Sequence, residues 1–185
     1  MSDNLSDGRR IEQFLTLSKA ELADTLAGGC PVAPAALDDS RYLGISLGMP
    51  GVIDRLLWKT FEKTFHRDPK TGALRGWNVR LEQTGWEDAP VPKVKGGAPV
   101  TFGHYAVTTP AAPHRAPAGS LLLDYSVGNP ALDPTRLVRD PVVALEAGEA
   151  GWLLGWTWLA FPGARVGTPS YFLLKRVGPL EYIPG

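Results

Sequence analysis

Period-two patterning dominates the chain from its middle onward. "ALRGWNVRLEQ" sets Trp77, Val79 and Leu81 against Asn78, Arg80 and Glu82, which predicts a strand with one buried and one wet face. "VTFGHYAVTT", "SLLLDYS", "VRDPVVAL", "WLLGWTWLAF" and "SYFLLKRV" read as further strands, parted by Gly- and Pro-rich turns. "RYLGISLG" adds an earlier one, with Leu43, Ile45 and Leu47 on one face and Tyr42, Gly44, Ser46 and Gly48 on the other. The strand "WLLGWTWLAF" is apolar on both sides. Trp152, Leu154, Trp156 and Trp158 alternate with Leu153, Gly155, Thr157 and Leu159, so both faces need cover.

Helical spacing is confined to the first third. Ile11, Phe14 and Leu15 share a helical face; Ser18 and Glu21 form a capping-box pattern, and Gly28-Gly29 closes the helix that carries Leu22 and Leu26. In "PGVIDRLLWKTFEKTFHRD" the residues Ile53, Leu57, Phe61 and Phe65 recur every fourth position, which predicts an amphipathic helix over 52–66 with Lys63 and His66 on its polar side. Residues 1–10 are expected to form a loose tail. Residues 11–185 then form a single domain whose helical part spans about 11–66. Strands that follow one another without long helices between them favour antiparallel connections. The expectation is a mainly β, α+β chain: an antiparallel β-barrel capped by N-terminal helices, with a β-sandwich as the alternative.

Composition sharpens this picture. The 185 residues are 44% hydrophobic, enough for one domain with a real core, and the 21 Gly and 17 Pro suit many short strands. Nineteen Lys and Arg balance nineteen Asp and Glu, so the field that nucleic acid or an anionic membrane demands is missing. Cys30 is the single cysteine, which excludes an internal disulfide and a cysteine-based zinc site, and three scattered histidines have no metal-ligand spacing. No metal or cofactor is therefore expected. The polar start "MSDNLSDGRR" lacks an apolar signal region and no run reaches the length of a membrane span, so the expected location is cytoplasmic. Phosphate loops, nucleophile elbows and His-Glu-x-x-His are all absent from the sequence.

Two candidate groups for chemistry remain. His104, in "FGHYAV", shares an alternating face with Phe102 and Ala106, and is a candidate base or ligand-orienting donor; Tyr105 points the other way. Asp124, in "LLLDYS", must reach solvent or find a partner, because a lone buried carboxylate costs several kcal/mol. Arg139 and Asp140 are its possible partners. Asp124 is thus either half of an ion pair at a sheet end or a polar anchor, and candidate acid or base, inside an apolar pocket. Trp58, Tyr105, Trp152, Trp156, Trp158 and Tyr171 are candidate walls of that pocket, with Arg139 as a further anchor. The leading expectation is a barrel cavity that binds a small hydrophobic or amphipathic molecule. One alternative is a cofactor-independent cyclase, isomerase or hydrolase acting on a hydrophobic substrate in the same cavity, with Asp124 or His104 catalytic. Another is an interaction module that forms a homodimer through exposed aromatics.

The order of these segments resembles uncharacterised bacterial proteins of the GXWXG type. "RYLGISLG" stands for their first motif and "WKTFEKTF" for their second, while "LLLDYS", "LVRDPVVAL", "GWLLGWTWLAF" and "SYFLLKRV" match the β-rich later part, over residues 18 to 178. Tyr42 and Ser46 replace the tryptophan and glycine of the first motif, and the second lacks its Gly-Lys pair. The resemblance implies a lipocalin-like (calycin-like) barrel that holds a ligand. It implies no catalytic residue.

Overall fold

In the computed structural model the described residues are 2–48, 59–111 and 114–184. They form helices α1 (Ser2–Thr16) and α2 (Lys19–Ala27), then strands β1 (Ser40–Leu47), β2 (Thr60–Arg67) and β3 (Leu74–Arg80). A small hairpin of β4 (Val94–Lys95) and β5 (Ala98–Pro99) follows. Gly96 and Gly97 turn it, both at positive φ, a conformation glycine adopts without steric penalty. The chain ends with β6 (Thr101–Thr108), β7 (Leu121–Asp124), β8 (Val138–Ala144), β9 (Trp152–Phe161) and β10 (Ala164–Pro179).

Eight of these strands close into an antiparallel barrel in the order β1-β10-β9-β8-β7-β6-β3-β2. Closure decides between the barrel and the sandwich, and it leaves the large sheet without open edges. The capping box is present: Glu21 N–H donates to Ser18 Oγ at 3.3 Å, and Ser18 N–H donates to the Glu21 carboxylate at 2.8 Å. Residues 2–10 are not a loose tail but the first part of α1.

The helix expected over 52–66 is corrected for its second half. Residues 60–66 lie in β2, paired with β1 on one side and β3 on the other. Both helix and strand accept Phe61 and Phe65 on one face, since a spacing of four is close to one helical turn and is also two strand repeats. Residues 52–58, Trp58 among them, lie outside the described residues.

Side chains alternate between the barrel's inside and its outside. One end of the interior is solidly filled by Tyr42, Phe65, Leu121, Leu153 and Leu174, and closed by Val32 and Leu37 from the segment before β1. The outer face of β1, β8, β9 and β10 carries Leu43, Ile45, Leu47, Val143, Leu154 and Leu173, over which α1 and α2 lay Ile11, Phe14, Leu22 and Leu26. This explains how a strand can be apolar on both sides: β9 sits between the barrel interior and the helical layer.

Candidate functional site

Three glycines on the inner wall each face an aromatic residue on the neighbouring strand. Gly44 pairs with Phe61, Gly76 with Tyr105, and Gly155 with Phe172. At each glycine the ring fills the volume a Cβ would take; a Cβ at Gly155 would stand 2.1 Å from Phe172 Cζ. The rings therefore lie over the wall. An eight-stranded barrel has room for side chains or for one small ligand, and here it has both. One end is packed, and the other holds a pocket of about 250 Å³.

Phe61, Phe102, Val138 and Phe172 give this pocket apolar sides, and Ser46, Thr157 and Ser170 add hydroxyls. Among the described residues its charged groups are Lys63 and Asp140, both almost fully buried (2% exposed each). The Lys63 ammonium donates to Asn78 Oδ1 at 3.0 Å, to the Tyr125 hydroxyl at 2.5 Å and to Asp140 Oδ2 at 3.3 Å. Tyr125 donates in turn to Asp140 Oδ2 at 3.0 Å, and Thr157 donates to Asp140 Oδ1 at 2.8 Å. Asn78 completes the cluster by donating to the Gly103 carbonyl at 3.1 Å. Every ammonium proton has a partner, as burial requires.

Four rings surround the same ammonium. Phe172, Tyr105, Tyr125 and Phe61 have centroids 4.9, 5.0, 5.2 and 5.5 Å from Lys63 Nζ, within cation–π range. Burial pushes the Lys63 ammonium below its ordinary pKa, opposed by the charge of Asp140. Burial also holds the Tyr125 and Tyr105 hydroxyls well above theirs, with Asp140 adding to the effect. The cluster is thus an ion pair with neutral phenols around it, at the inner end of an apolar mouth.

A β-bulge places Asn78. The pairing of β3 with β6 shifts between Gly76 and Asn78, so that Gly103 and His104 together oppose Trp77. Gly103 takes φ +52, a left-handed conformation suited to a residue without Cβ, and a Cβ there would stand 2.9 Å from Asn78 Nδ2. The bulge also corrects the face assigned to His104. Phe102 lines the pocket, whereas His104 packs beside Trp77 on the outer side, with ring centroids 6.1 Å apart. There the His104 imidazole titrates below its ordinary range, through burial and then the charge of Arg75.

The remaining residues expected at the site fall mostly outside the barrel. Asp124 pairs directly across from Arg139, with Arg139 Nε 3.2 Å from its carboxylate, and the Asp124 carboxylate also accepts from Ser126 N–H and Oγ. This is the ion pair at a sheet end, on the outer side; the inward carboxylate is Asp140, one residue beyond Arg139. Trp152, Trp156, Trp158 and Tyr171 belong to the outer cluster. Trp152 lies under Arg10 of α1. His114 packs against both Trp156 and Trp158, and Arg115 and Arg165 cover the same two indoles. Both indoles are buried within the chain, at 1% and 7% exposure, so they offer no exposed aromatic surface. Tyr105 does point inward, but it packs beneath Lys63 and donates to the Thr64 carbonyl at 2.8 Å.

Among the described residues no cluster of His, Cys, Asp and Glu could hold a metal ion, and no helix is long and apolar enough to cross a membrane. No family model, curated protein or solved structure matches the chain.

Proposed function

We propose that the barrel holds a small, neutral, amphipathic molecule in its open end. The observation that carries this is a mostly apolar pocket whose charged groups already neutralise one another. A carboxylate about 6 Å from both Lys63 and Asp140 would gain about 3 kcal/mol from one and lose about as much to the other, at an effective dielectric near 20. Its desolvation would then go uncompensated. A cation meets the same balance with the signs reversed. A ketone, aldehyde or alcohol needs only hydrogen bonds, and Ser46, Thr157 and Ser170 stand along the wall to share them. The apolar part would lie against Phe61, Phe102, Val138 and Phe172.

Titration with 1-aminoanthracene, a neutral fluorophore that brightens in apolar surroundings, tests this reading. Fluorescence should rise with the wild-type protein and fall again on addition of hexan-1-ol. Val138→Trp, which fills the pocket, should abolish the rise, while Trp156→Phe on the outer face should leave it intact. An anionic naphthalenesulfonate dye should bind at least about tenfold more weakly, roughly 1.4 kcal/mol. Equal binding by the wild type and Val138→Trp would overturn the proposal.

A further inference from the structure

We infer that Lys63 is a covalent capture site for aldehydes, forming an imine with the carbonyl group of a molecule seated in the barrel mouth. This rests on the reading of that mouth as a pocket for neutral amphipaths and adds a chemistry to it. Three features of the geometry support it. Lys63 is one of the residues that line the pocket, so a molecule seated there brings its carbonyl group against this side chain. Asp140 lies 3.3 Å from Nζ and can take the ammonium proton, leaving a neutral amine with a free electron pair. The product is again a cation, so the four rings and the carboxylate that now surround the ammonium would also surround the iminium. Burial, which favours the neutral amine, acts in the same direction.

The step balances without an added oxidant or reductant. Lys63 passes one proton to Asp140, and its nitrogen attacks the carbonyl carbon while the π electrons move to oxygen. The oxygen takes the proton back from Asp140 and a second from the nitrogen. The C–O bond breaks, water leaves, and the nitrogen pair closes the C=N bond. Ammonium plus aldehyde has become iminium plus water, with Asp140 a carboxylate at both ends. Tyr125, hydrogen-bonded to both Lys63 and Asp140, is a positioning residue for this exchange.

The test uses the wild-type protein with hexanal and sodium cyanoborohydride, followed by peptide mapping of the hexyl adducts. The chain has seven lysines, and the other six provide internal controls. Lys63 should be labelled at least about tenfold faster than any of them, because the pocket holds hexanal beside its amine. Hexan-1-ol should suppress that labelling and not the labelling of the other lysines. Lys63→Arg, which keeps the charge, should lose the fast adduct. If 1-aminoanthracene binds but hexanal labels Lys63 no faster than the surface lysines, the imine is refuted and the pocket stands. If neither binds, both fall.

Discussion

Replacing Lys63 with Met removes the ammonium while keeping a chain of similar shape among the four rings. Asp140 then keeps the hydrogen bonds from Tyr125 and Thr157 but loses its counter-charge, in a position where both side chains are nearly dry (3% and 4% exposed). Removing one partner of such a pair costs about 3–5 kcal/mol. Asp140→Asn leaves the ammonium in place with an amide oxygen to accept from it, and should cost somewhat less, about 2–4 kcal/mol. The double variant removes both charges together, and the amide introduced at position 140 can still serve Tyr125 and Thr157. It should therefore be less destabilised than the sum of the singles by about 2–3 kcal/mol. Urea unfolding measures all four proteins, and a domain of ordinary stability, about 5–15 kcal/mol, remains measurable after each loss. Single losses under about 1 kcal/mol that simply add in the double variant would refute the buried pair.

Gly155→Ala should destabilise by about 1–3 kcal/mol in the same assay, because the new methyl meets the Phe172 ring and must displace it. Ser18→Ala should cost about 1 kcal/mol through loss of the α2 cap. Tyr42 carries a pH signature: its hydroxyl donates to the Ala150 carbonyl, and burial pushes its pKa up from 10.0 to about 12. Between those values the folded state keeps a proton that the unfolded chain releases, so stability falls as pH rises, by up to ~3 kcal/mol over the window. Tyr42→Phe should be less stable than the wild type near pH 8, and that deficit should narrow as pH is raised through this window; a deficit independent of pH would contradict the assigned burial.

Strand positions are readable in the sequence wherever side chains alternate, as in β3, β7 and β10. β2 is not, because Phe61 and Phe65 fit both periods, and Lys63 between them is an unusual residue for an inward strand position until its partner is known. That partner, Asp140, stands next to Arg139, the more obvious match for Asp124, and only pairing across β7 and β8 separates the two acids. His104 lies on the face opposite to the expected one because a bulge adds one residue to the strand, which alternation alone cannot count. The three indoles of β9 are ambiguous because both faces are apolar. Size could have decided it. Gly155 and Thr157 form the small face, and the interior of an eight-stranded barrel that also contains Tyr42, Phe65, Tyr105 and Phe172 has no room for three more large rings.

A bound molecule in the barrel mouth and one on the outer face differ in the residues they touch. Nuclear magnetic resonance of isotope-labelled protein, titrated with hexan-1-ol, reports each backbone and methyl position separately. Binding in the barrel mouth gives saturable shifts at Phe102, Gly103, Val138, Thr157 and Phe172, with Trp156, Trp158 and Tyr171 unmoved. Shifts confined to those outer aromatic residues, with the barrel mouth silent, would contradict it.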